Sequence, residues 1–124
     1  MRRAALFLAL SPPPVSADPG DAALTEAAYC IGLAEGLARV AARAGGDEGD
    51  AGALPRKDWP ALEAAGSPLP VLLGARARGR NDALRAGRLA EAGQMDGETR
   101  WILLDAADHC AGLRQRLAAE GVLP

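Results

Sequence analysis

His109 is the only histidine in a chain of 124 residues. It adjoins Asp108 and follows Asp105 by four positions, a spacing that sets carboxylate and imidazole on one helical face and could support proton transfer. Hydrolysis would also need a nucleophile. Beyond the N-terminal segment the serine and threonine hydroxyls are Ser67, Thr25 and Thr99, and none sits in a recognisable nucleophile motif. A metal ion held by His109, Asp105 and Asp108 would lack at least one ligand, and the Glu-x-x-His repeat of bundle di-metal sites is missing. His109 is therefore expected to be a surface histidine, with no catalytic residue, metal or cofactor assigned.

Cys30 and Cys110 are the only cysteines. Neither belongs to a C-x-x-C pair, a haem-attachment motif or a zinc-ligand cluster, so redox exchange and common metal sites lack their geometry. In an exported protein an even count points to a disulfide, and two cysteines allow one pairing. The acidic run Asp47-Glu48-Gly49-Asp50 lacks the alternating ligands and terminal Glu of a calcium loop and reads as solvated linker.

Arg76, Arg78, Arg80, Arg85 and Arg88 are opposed locally only by Asp82. At about 100° per residue, Arg76 and Arg80 share one side of a helix, while Arg78 and Arg85 lie nearly opposite. These five are the candidate binding residues, directed at an unknown protein or an anionic surface; the competing reading is pairing with the chain's own acidic helices.

The elements that position these residues are helical. Hydrophobic residues make up 49% of the chain but aromatics only 3%, so the core is built from Ala and Leu rather than from rings or β-branched stacks. From Asp21 to Gly45, Ala27, Cys30, Ala34, Leu37 and Ala41 recur at steps of three and four, with Asp21 as the expected N-cap and Gly45-Gly46 as the stop. Gly32-x-x-x-Gly36 marks a flat face for internal packing or self-association. Asp58-Trp59-Pro60 reads as the start of a short helix to Ala65. The stretch 68–92 forms one helix, or two if Gly79 breaks it and Asn81 caps the second piece. Asp96 caps a final helix reaching about Ala119, with Leu103, Ala106, Cys110, Leu113 and Leu117 as its stripe. Trp59 and Trp101 are expected as core anchors.

Both cysteines lie on apolar stripes, so the bridge belongs in a helix–helix seam whose small neighbours permit close approach. The fold expected is all-α: a small disulfide-stapled, up-down bundle of three principal helices plus one short helix, with the first and last as neighbours.

Arg2 and Arg3 precede the apolar run 4–10, and Val15-Ser16-Ala17 supplies small residues for processing, so residues 1–17 read as a signal peptide. The run is too short to span a bilayer and Pro12 to Pro14 end it, so no transmembrane anchor is expected. Residues 18–124 then form a single helical domain with a flexible acidic loop at 46–57, placed in the periplasm or secreted. Removing two of the 14 basic residues and none of the 16 acidic ones leaves a net charge of −4, which argues against nucleic-acid binding. The function expected is a non-catalytic periplasmic interaction or accessory protein, with homo-oligomerisation open. The alternative is a small-ligand or metal carrier using a bundle cavity near His109, Trp59 and Trp101.

Overall fold

The computed structural model describes residues 19–45 and 56–124. The expected signal peptide and residues 46–55 of the acidic loop lie outside the described residues. The described elements are α1 (Pro19–Arg43), a 3-10 turn (Arg56–Asp58), α2 (Trp59–Ala64), α3 (Leu69–Glu91) and a terminal helical run. That run consists of α4 (Gly97–Arg100), a π turn (Trp101–Asp105) and α5 (Ala106–Ala119). The small all-α bundle is as expected, with no strand among the described residues.

Several local expectations need correction. α1 starts before Asp21, which lies in its first turn. Asp21 accepts a hydrogen bond from Ser67 Oγ at 3.0 Å and so ties the start of α1 to the segment leading into α3. Arg56 and Lys57, assigned to the loop, form the 3-10 turn. Asp58 precedes α2 but makes no side-chain cap; its carboxylate is buried and accepts two hydrogen bonds from Arg114, at 2.8 and 3.3 Å. A carboxylate removed from water needs such a partner.

α3 is one continuous helix, not two. Gly79 does not break it because its bare face packs against α1: a Cβ there would overlap the Tyr29 carbonyl oxygen and lie 2.8 Å from Leu33 N. Gly32 likewise lies against the backbone around Arg76 and Arg80, and Gly36 against Arg80 and Ala83. The small-residue face of α1 thus serves internal packing. Its register settles direction, since Gly32 meets residues 76–80, Gly36 meets 80–83, and Val40 meets Gly87. Numbers rise together, so α1 and α3 run parallel, against the up-down order expected. α3 therefore begins beside the start of α1, where Ser67 meets Asp21, and α2 precedes it in the chain.

The turn after α3 closes on Gly93, whose φ of 75° is a left-handed conformation that glycine adopts without penalty. Gln94 N–H donates to the Leu89 carbonyl at 2.8 Å, completing the helix stop. Asp96 then caps α4, accepting from Thr99 N–H at 2.8 Å, and this bond holds its carboxyl below the usual aspartate range. The cap is therefore present at neutral pH and is lost as pH falls through that lowered value. Asp96→Ala is expected to speed amide exchange at Thr99 while leaving α5 unchanged, as read by hydrogen exchange.

In the terminal run Ala106 N–H reaches back five residues to Trp101 O, widening one turn. Ile102, rather than Leu103, consequently takes the buried position ahead of Ala106, Cys110, Leu113 and Leu117, and Leu104 is turned outward at 60% exposure. The Cys30–Cys110 bridge joins α1 to α5 with a Cα separation of 5.8 Å, and both cysteines are buried among Ala27, Ile31 and Ala106.

Candidate functional site

Because α3 is unbroken, its arginines separate into two flanks, as the helical spacing predicts. Arg76 and Arg80 face one side of α1. Arg76 binds Glu35 through two hydrogen bonds of 2.8 Å, and Arg80 lies 3.8 Å from the same carboxylate. The Arg76 guanidinium also lies over the Trp59 ring at 4.6 Å, a cation–π contact. Glu35 is held below the usual glutamate range, first by the Arg76 hydrogen bonds and further by the charges of Arg80 and Arg56, with burial opposing. Two of the five candidate arginines are thus committed to an acidic residue within the fold.

The other flank carries Arg78 and Arg85. Arg85 pairs with Glu98 of α4 at 3.2 Å, and both partners are about half exposed, so the pair contributes little to stability. Arg78 lines a mainly apolar groove of about 510 Å³ with Asp21, Ala22, Thr25, Glu26 and Tyr29 of α1. Neither Arg78 nor the exposed Arg88 makes an ion pair among the described residues.

Tyr29 donates its hydroxyl to Asp82 Oδ2 across the helix pair, fixing its ring in the groove wall. Burial, followed by the Asp82 hydrogen bond, raises the phenol above its ordinary range and keeps it protonated. His109 does not meet Asp105 or Asp108; its Nε2 contacts the Glu26 carboxylate at the rim of the same groove. Trp101 lies 5.8 Å from the His109 ring at a tilted angle, and at 38% exposure it is not a core anchor. Trp59 is half-buried against the edge of the core, on the Arg76 flank. The two tryptophans therefore do not line one common cavity.

Ser67 is hydrogen-bonded to Asp21 and His109 to Glu26, not to each other. No group of three metal-ligating side chains occurs among the described residues. Sequence reading missed Tyr29, Glu35, Arg39 and Arg56 as site residues. The Glu35-to-Arg39 spacing on α1 is an i,i+4 acid–base pattern that could have drawn attention to that flank. No protein-family model, curated protein or solved structure matches the chain.

Proposed function

We propose that the protein is a non-catalytic, extracytoplasmic interaction protein that engages a protein partner along the groove between α1 and α3. The observation that carries this reading is the groove itself. Its apolar floor at Ala22, Thr25 and Tyr29 is rimmed by Arg78 of α3 and by Asp21 and Glu26 of α1, and the exposed Trp101 stands beside His109 at one edge. An aromatic and an arginine beside apolar ground make a common composition for a protein interface. Arg78 is available to a partner's carboxylates, and the exposed Arg85–Glu98 pair can be exchanged for an intermolecular one.

Export is supported by the charged and apolar start of the sequence and by the buried bridge, which is at home in an oxidising compartment. No described helix is long and apolar enough to cross a membrane. Intact mass of the exported protein is expected to show loss of residues 1–17 and no free thiol.

Photo-crosslinking in the producing cell tests the groove. A crosslinker at Ala22 is expected to give a discrete adduct that one at Glu120 does not, and Arg78→Gln with Arg85→Gln is expected to weaken the adduct and its salt sensitivity while leaving the thermal midpoint nearly unchanged. A midpoint that drops sharply with adducts unaltered would instead make these arginines internal charge partners. A coloured or heavier species on native purification would favour the carrier reading.

A further inference from the structure

The flank opposite the groove holds a second, chemically different cavity. It measures about 260 Å³ and is lined by Glu35, Ala38, Arg39 and Ala42 of α1, Arg56 of the 3-10 turn, and Arg80 of α3. Three guanidinium groups from three separate elements thus surround one space. The single carboxylate in its wall is already engaged, because Arg76 takes both oxygens of Glu35 at 2.8 Å while Arg80 reaches it only at 3.8 Å. Arg80 Nε is closed off from solvent and has no hydrogen-bond partner. The Arg80 side chain is 43% exposed, so its remaining N–H groups, rather than the shielded Nε, are the donors that a ligand in this space can reach.

We infer that this pocket is a binding site for a phosphate-class oxyanion, held between Arg39, Arg56 and Arg80. Arginine forks match the edges of a tetrahedral oxyanion, and several can share one dianion, whereas a single carboxylate has only two oxygens to divide among them. Ala38 and Ala42 leave the space between the arginines open. The volume lies just below the range of about 300–1,000 Å³ that encloses drug-sized ligands, which suits a phosphate group with little of what carries it. Arg76, stacked on Trp59, takes both oxygens of Glu35 at 2.8 Å, so Arg80 meets that carboxylate only at 3.8 Å and keeps donors that a bound oxyanion can engage. This inference is independent of the groove on the other flank.

The shared chemistry admits two sources, free phosphate and a phospholipid headgroup, and two arms separate them. In the first, inorganic phosphate is titrated into the purified protein by calorimetry at constant ionic strength set with chloride. Saturable binding is expected, weakened about tenfold to a hundredfold by Arg39→Gln or by Arg56→Gln and unchanged by Arg88→Gln, which removes the same charge elsewhere on α3. Arg39 and Arg56 are exposed and make no ion pair among the described residues, so both variants should keep the wild-type circular dichroism. In the second arm, vesicles of phosphatidylglycerol and of phosphatidylcholine are sedimented with each protein. Co-sedimentation that fails in Arg56→Gln and is competed by inorganic phosphate identifies the headgroup; binding in the first arm alone identifies free phosphate. No saturable binding in either arm, or an equal loss in Arg88→Gln, would overturn the site.

Discussion

Replacing Cys30 and Cys110 together by alanine is expected to lower the unfolding free energy by about 4–5 kcal/mol. The bridge spans a sequence separation of 80 residues, and closing a loop of that length removes a correspondingly large entropy from the unfolded chain. Native-state losses should be small by comparison, because the helix backbones are already close at this seam and Ala27, Ile31 and Ala106 remain to pack around the substituted sites. Against a typical total of about 5–15 kcal/mol for a domain, the loss is large enough to leave the reduced protein marginal. Urea unfolding of the oxidised protein and the double variant measures it directly. The variant should also show a steeper denaturant dependence, since an unfolded chain without its cross-link exposes more surface. A difference under about 1 kcal/mol would mean that helix packing alone carries the fold, and that the compartment matters little to stability.

The bridge was legible in the sequence because two separate periodicities converge on it. Cys30 and Cys110 each sit at a core position of a helix whose neighbours repeat at three and four, and such stripes report which face is buried. The Asp96 cap was equally readable, since Thr99 stands three positions on, where the first free N–H groups fall. The split of Arg76 and Arg80 from Arg78 and Arg85 also follows from helical angle alone.

What periodicity cannot encode is how one helix lies against another. α1 has two buried faces, one of them composed of Ala28, Gly32 and Gly36, and glycines read as breaks or flat ground until a partner backbone is placed on them. The parallel course of α1 and α3 is likewise invisible to a stripe, which looks the same from either end. The length of the connection 44–68 held the clue, since a helix of 25 residues is about 37 Å long and a connection of that many residues is enough for the next helix to start beside its beginning. The π turn at Trp101–Asp105 left no composition signal, and it displaced the expected Leu103 by Ile102. The arginine pocket escaped notice because its three cations come from distant parts of the chain and meet only in the fold.

Gly79→Ala is expected to destabilise the protein by about 3 kcal/mol or more, reversing the sign that helix propensity alone would give. Inside a helix, alanine ordinarily gains about 1 kcal/mol over glycine. Gly74 in α3 and Gly112 in α5 have nothing within 4 Å of a would-be Cβ, so alanine there should stabilise by about 0.5–1 kcal/mol. At Gly79 the added carbon would strike the Tyr29 carbonyl and lie 2.8 Å from Leu33 N; at Gly32 it would lie 2.7 Å from Arg76 C and 2.9 Å from Arg80 N. These obstacles are helix backbone, which cannot rotate aside as a side chain does, so the whole α1–α3 seam must open and unpack Ala28, Leu33 and Ala83. Gly87 is the intermediate case, because its Cβ would press on the Val40 side chain at 2.7 Å, a group with some freedom to adjust. Melting temperatures should therefore rise for Gly74→Ala and Gly112→Ala, fall moderately for Gly87→Ala, and fall furthest for Gly79→Ala and Gly32→Ala, with each 1 kcal/mol moving the midpoint by about 4–8 °C. If Gly79→Ala melts with or above the wild type, Gly79 does not meet Tyr29 and Leu33, and the parallel register of α1 against α3 is wrong.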